Sequence, residues 1–369
     1  MEVELEMESQ QLPQTKPIVS KRLNTTLRLL SFASMTTGGT GAAITLRVYY
    51  LHGGSRKWLT SWLQTAAWPL TLLPLAISYL YRCRLADAAA APRPKLCLSS
   101  RAVFIAGAVL GLLMGLDDFF YAYGSAYLPV STSSIIASSQ LAFTALFAFA
   151  IVKQRFTAYS LNAVALLIAG AVLLGLASDG DRPAGESSKE YLAGFFMMLA
   201  SAALYGLVLP LVELTYAKAA AKQGPVSYTL AMEVQLLIGI FATALCTVGM
   251  IANNDFQAMQ REAEDFGLGE LKYYMVLVWS AILCELLLLG TIGTIFYDSA
   301  LLAGIIMAVC LAMTEVLAVI FLHESFSGQK GLALALCLWG FASFFYGEYK
   351  KGKKKNQTIL EPTLEVSIN

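Results

Sequence analysis

Charge is what this 369-residue chain has least of: 14% of its residues are charged against 57% hydrophobic, a balance that excludes an ordinary soluble domain. Only two histidines are present and the six cysteines are not clustered, so no ligand set for a metal ion is visible. Cys246, Cys284, Cys310 and Cys337 fall in apolar stretches, and Cys83 and Cys97 in a loop, which implies no disulfide framework. The strict alternation that a membrane β-barrel strand requires is missing. Glu2, Glu4, Glu6 and Glu8 make the start of the chain acidic, which argues against a cleavable secretory signal. No nucleophile stands with a base or a metal cluster at a membrane surface, as a lipid-modifying enzyme would need. The net charge of +1 gives no handle for nucleic acid.

What the chain does have is long apolar blocks. Ten of them, near 27–50, 58–81, 101–126, 131–152, 157–177, 190–214, 226–252, 273–297, 300–322 and 328–347, are each long enough to cross a bilayer as a helix. The fold expected is an all-α polytopic membrane protein. Residues 1–26 and 348–369 read as disordered cytoplasmic tails, the second one basic, and 178–189 as an external loop. Lys and Arg set the orientation, because cytoplasmic loops are enriched in them. The side that holds both tails carries Lys16, Lys21, Arg22, Arg82, Arg84, Arg93 and the run Lys350 to Lys355, whereas the other side is rich in acids such as Asp179, Asp181, Glu262 and Glu264.

A weak internal repeat follows a shift of 170 residues, which aligns Phe156-Thr157 with Phe326-Ser327, Thr144 with Thr314, and Gly170 with Gly340. Five spans per half is an odd number, so the second half (190–347) inserts upside down relative to the first (27–177). That is the inverted-repeat design of many secondary transporters, with the substrate bound near the midplane.

Polar groups that interrupt the apolar blocks mark the candidate site. Asp117 and Asp118 lie inside a run that is otherwise apolar enough to cross the membrane, and a carboxylate at that depth is by default a hint of a substrate or proton path. Phe119, Tyr121 and Tyr123 follow as stacking faces, and Tyr121 shares a helix face with Asp118. Ser138, Ser139 and Gln140 in the fourth block face the same space, and a neutral Gln both donates and accepts, which suits a heterocycle edge. In the second block Trp62 and Trp68 flank Gln64, and either interfacial anchoring or a cage wall fits the tryptophans. Tyr205 and Glu213 share a face of the sixth block with Pro210 between them, and Glu233 lies in the seventh. Glu285 and Glu315 are ionisable and buried by position; each fits an interhelical contact as well as a site. His323-Glu324 ends the ninth block, where a structural role is the plainer reading. Gly38, Gly39 and Gly41 read as packing residues that let helices approach.

These residues stand in motifs that resemble the plant purine permeases of the drug/metabolite transporter superfamily, over roughly 35 to 350. The carriers are Leu51-His52-Gly53-Gly54, the run from Gly115 to Ser134, Ser139-Gln140-Leu141-Ala142-Phe143-Thr144-Ala145, Ala203-Leu204-Tyr205-Gly206, Leu211-Val212-Glu213-Leu214-Thr215-Tyr216, Asp265-Phe266-Gly267-Leu268-Gly269-Glu270, Thr314-Glu315-Val316 and Leu338-Trp339-Gly340-Phe341. The resemblance implies ten helices, both tails in the cytoplasm, and proton-coupled uptake of adenine, cytokinins and related heterocycles at the plasma membrane. No cofactor beyond the proton gradient is implied. Some relatives carry alkaloids, which is the alternative substrate class; a non-transporting membrane receptor is the further one. Gln64 departs from the family pattern where an acid is common, Ala312 where a proline often interrupts the ninth span, and Glu285 where a neutral polar residue is frequent. On this reading Asp118 and Glu233 are the leading proton carriers, with Glu213 and Asp117 behind them. Gln140 reads the substrate edge, Phe119, Tyr121 and Tyr123 stack on it, and Trp62, Trp68, Gln64, Tyr205, Glu285 and Glu315 complete the candidate binding set.

Overall fold

A computed structural model describes residues 21–88, 98–153, 158–176, 187–223, 227–322 and 328–365. All regular structure among them is helical. In chain order it comprises α1 (Lys21–Leu51), α2 (Lys57–Thr65), one 3-10 turn (Trp68–Thr71), α3 (Leu72–Ala88), α4 (Arg101–Tyr127), α5 (Val130–Ser138), α6 (Gln140–Val152), α7 (Ala158–Leu176), α8 (Ser188–Gln223), α9 (Tyr228–Ala252), α10 (Asp255–Asp265), α11 (Glu270–Tyr297), α12 (Ala300–Leu322) and α13 (Gly328–Glu365).

Each expected apolar block is occupied by helix, but two are broken. The second changes from α2 to the 3-10 turn at Ala66–Ala67, and the fourth stops and restarts at Ser139. There Ser138 and Ser139 turn their hydroxyls back to the carbonyls of Ile135 (2.6 Å) and Ile136 (2.7 Å), which competes with the regular ladder. Six segments among the described residues are long and apolar enough to cross a membrane, Lys57–Arg84, Arg101–Tyr127, Ile135–Val152, Ser188–Lys222, Tyr228–Ala252 and Glu270–Tyr297, and Ala158–Gly170 and Gly331–Gly347 are shorter apolar helices. The chain is a polytopic membrane protein.

Three boundaries differ from the sequence reading. Helix α1 begins at Lys21 rather than 27. Helix α13 continues to Glu365, so 348–365, expected as a disordered tail, is helical; its Lys and Glu residues favour helix and extend the ladder of the apolar part. The acidic loop after α9 contains a further helix, α10, which begins beyond Asn254 in the left-handed region at φ 56°.

Close packing depends on glycine. A methyl group at Gly38 would stand 2.4 Å from the backbone nitrogen of Leu287, and one at Gly290 would stand 2.4 Å from that of Met35, so α1 and α11 touch main chain to main chain. Helix α4 lies between α8 and α9, while α12 lies against α5 and α6. Helices α7 and α13 pair through Gly170, whose added methyl would lie 3.3 Å from Ala333 O, and Gly340, whose methyl would lie 3.3 Å from Ala163 O.

Candidate functional site

Helices α1, α2, α4, α8 and α11, with the α5–α6 break and α12, enclose a cavity of about 830 Å³, counted to its mouth. Most of its wall is apolar, from residues such as Leu46, Leu63, Met114, Leu287, Leu288 and Met307. Six of the expected residues converge on it: Asp117, Asp118, Tyr121, Gln64, Gln140 and Tyr205.

Their hydrogen bonds set their roles. Asp117 Oδ1 accepts from Ser201 Oγ of α8 at 2.7 Å. Gln64 Nε2 donates to the carbonyl of Asp118 at 3.1 Å, and Ser61 Oγ donates to it at 3.3 Å, so α2 braces the α4 backbone at the site. Asp118 Oδ2 and Gln140 Nε2 are the exceptions. Asp118 is 2% exposed and Gln140 4%, and neither of these atoms has a hydrogen-bond partner among the described residues. Leaving a buried polar atom unpaired costs about 1–3 kcal/mol. The cavity wall therefore holds one unpartnered acceptor and one unpartnered donor.

Other expected residues lie elsewhere. Glu233 does not line the cavity: Leu98 N donates to both of its carboxylate oxygens at 2.9 Å and Ser99 N to Oε2 at 2.8 Å, which anchors the lead-in to α4. Glu213 accepts from Ala300 N at 3.1 Å, at the start of α12, where an acid complements the helix dipole. Trp62 donates Nε1 to Thr247 Oγ1 at 3.0 Å, while Trp68 packs on Gly239. Phe119 stacks on Trp58 with centroids 4.0 Å apart, and Tyr123 lies under the Lys57 ammonium at 4.5 Å, so both face the start of α2 and do not line the cavity. Successive residues on a helix point about 100° apart, so five consecutive aromatic-rich positions cannot all face one space. Glu285 is 1% exposed but outside the cavity lining. The side chain of Glu315, His323-Glu324, Phe156-Thr157 and Phe326-Ser327 lie outside the described residues.

The model for purine nucleobase transmembrane transport matches residues 27–354. The chain belongs to the purine permease family. Among its relatives, purine permease 3 of Arabidopsis thaliana is 44% identical over 339 residues, which cover 92% of this chain and 95% of that protein. Purine permease 2 of the same plant is also 44% identical, with 90% and 95% covered. One solved structure shares the fold at a TM-score of 0.53 and 17% identity, covering 86% of this chain and 97% of the other. The permease is thus a transporter and not an enzyme.

Two features of this family member escaped the sequence reading. Ser201 lies one helical turn before Tyr205 on the same face, a spacing that would have revealed it. The second is a buried polar hub beyond the cavity. Glu262 of α10 accepts from the hydroxyls of Tyr49 and Tyr273, the latter at 3.2 Å, and from Ser55 N at 3.3 Å and Ser55 Oγ at 3.2 Å. Arg56 stands 3.5 Å from both Glu262 and Asp255, and Asn253 donates to Asp255 at 2.7 Å. The hub ties α10 to the α1–α2 turn, which also meets it through Gly267 N and His52 O at 2.9 Å. Asp255 lies outside the spans, and burial raises its carboxyl above the usual range, partly offset by Asn253 and Arg56.

Proposed function

We propose that this permease imports adenine and related uncharged nitrogen heterocycles together with protons, by alternating access between two inverted five-helix halves. The observation that carries the substrate reading is the unpartnered pair of Asp118 Oδ2 and Gln140 Nε2 in the cavity wall. Adenine offers an amino donor beside a ring-nitrogen acceptor, and one partner of each kind satisfies both. Tyr121 and Tyr205 supply ring faces in the same wall. A cationic alkaloid would draw on a wider aromatic cage, whereas Phe119 and Tyr123 are engaged with Trp58 and Lys57.

Inversion is supported by the α7–α13 seam. The contact of Gly170 with Ala333 becomes that of Gly340 with Ala163 when 170 is added to one partner and subtracted from the other, as a twofold relation between halves requires. The helix break at Ser139, which presents Gln140 to the cavity, is the kind of interruption that marks transporter binding sites. Proton coupling rests on Asp117 and Asp118, since adjacent buried carboxylates with no ion-pair partner among the described residues are stable only when at least one of them is protonated. The Lys and Arg distribution supports a cytoplasmic position for both tails, and we assign the chain to the plasma membrane.

The test is uptake of labelled adenine by cells expressing the chain, with and without an inward proton gradient, against unlabelled cytokinin and alkaloid competitors. Gradient-dependent adenine entry with competition by cytokinin is expected. Entry of an alkaloid and exclusion of adenine would overturn the substrate reading.

A further inference from the structure

Glu285 has no role in the site described above. Its side chain is 1% exposed, and both carboxylate oxygens lack a hydrogen-bond partner among the described residues. It lies next to Cys284 and three residues before Leu288, both of which line the cavity, but it points elsewhere. Leu277 and Ala281, on the same helix stripe at spacings of four, pack with Leu59 and Leu63 of α2 and with Met250 of α9. One turn further on, Leu288 and Ile292 pack with Val234 and Ile238 of α9. Glu285 therefore occupies the seam of α2, α9 and α11 between two apolar clusters. Helix α11 packs against α2 and also touches the 3-10 turn that follows the Ala66–Ala67 break, so the broken second block lies along the same helix that carries Glu285.

Several charged groups on the elements packed against α11 are engaged elsewhere among the described residues. Arg28 of α1 pairs with Asp298 and Arg47 donates to Leu128 O; Lys57 of α2 donates to Tyr127; Glu213 of α8 and Glu233 of α9 hold backbone amides; Glu262 and Asp255 of α10 belong to the hub. Of the titratable neutral groups on those elements, Tyr49 bonds Glu262, Tyr50 Thr60, Tyr205 Thr291, Cys246 Gly115 O and Cys310 Met35 O, while the buried Tyr216 hydroxyl of α8 has no partner among the described residues. A carboxylate with no counter-charge in such a seam is stable as the neutral acid, and it ionises only when water or a donor reaches it.

We propose that Glu285 is a second proton-binding site of the transport cycle, separate from the substrate cavity, loaded and emptied as the broken second block moves against α9 and α11. Water on one side of the membrane gives the carboxylate its proton, and water on the other side takes it. This rests on the proton-coupled reading above and adds a second carrier to it. A helix break is the natural place for such a movement, because it carries no continuous ladder to resist bending. The neighbouring Cys284 thiol, within electrostatic reach of both Asp118 and Glu285, stands between this site and the cavity.

The experiment uses the purified full-length chain in liposomes, as wild type and as Glu285→Gln, a substitution that keeps the shape of the neutral acid. Adenine-for-adenine exchange at equal pH reports folding and substrate binding; accumulation under an imposed gradient of about one pH unit, with a trapped pH dye, reports protons carried. Each coupled proton is worth about tenfold accumulation per pH unit. The variant is expected to exchange adenine within about twofold of wild type and to accumulate about tenfold less. Unchanged accumulation would overturn the proposal, as would loss of exchange, which makes Glu285 structural. Wild-type protein that exchanges adenine but never accumulates it would overturn proton coupling itself.

Discussion

Asp117 and Asp118 follow one another on α4, yet the Ser201 hydroxyl holds the first and the Oδ2 atom of the second faces the cavity unpartnered. The two are therefore not interchangeable. Asp118→Asn replaces an oxygen acceptor with an amide in the cavity wall, and Gln140→Leu removes the donor. Each is expected to weaken adenine binding by several-fold to about tenfold, since a hydrogen bond contributes about 0.5–1.5 kcal/mol. Ser201→Ala leaves both groups intact and should cost only a few-fold. Competition binding in detergent checks all three, and equal losses at Ser201 and Asp118 would sink the division of roles. Sequence put Asp118 ahead of Asp117 only through the helix face it shares with Tyr121, whereas the structure separates them by a hydroxyl contributed from 84 residues further along the chain.

Helices meet through residues whose sequence signal is only smallness. Gly38 and Gly290 let α1 and α11 come into main-chain contact, so Gly290→Val drives a side chain into the Met35 backbone. Overpacking of this kind costs about 1–3 kcal/mol. A lower unfolding temperature in detergent is expected; an unchanged one would mean that the helices part freely. The element that sequence missed entirely is α10, an acidic, mostly polar helix that looks like a loop when only hydropathy is read. Its Asp255 gives a pH prediction. Burial raises the folded-state carboxyl above the unfolded one, so its contribution to stability is present in acid and is lost as the pH rises through the raised value. Asp255→Asn should flatten the slope of unfolding temperature against pH just above the ordinary carboxylate range. An unaltered slope would exclude Asp255 as its source.

Across the whole molecule, the cavity lies between an extensive apolar cluster that joins α4, α8, α9 and α11 and the Glu262 hub that ties α10 to the α1–α2 turn. The hub is the only one of the two closures made of polar groups among the residues described here, and breaking one partner of such a buried set costs about 3–5 kcal/mol. Glu262→Gln is expected to loosen that end. Cys284 lines the cavity, so its modification by a membrane-impermeant thiol reagent should speed up several-fold in the variant, with Cys284→Ser as the blank. No acceleration would mean that the hub does not gate the cavity.

The apolar blocks determined by themselves that the chain crosses a membrane as helices, because a span's length and the cost of burying unpaired backbone leave few alternatives. Motif and composition also carried the family and pointed to Asp118, Gln140, Gln64, Tyr121 and Tyr205. Only the tertiary structure decided which polar residues share a cavity. Glu233 and Glu213 look like proton carriers until backbone amides from distant segments are seen to hold them, and Phe119 and Tyr123 look like a cage until Trp58 and Lys57 engage them. The physical reason is that a helix presents every face in 3.6 residues, while the face that meets substrate is chosen by its neighbours.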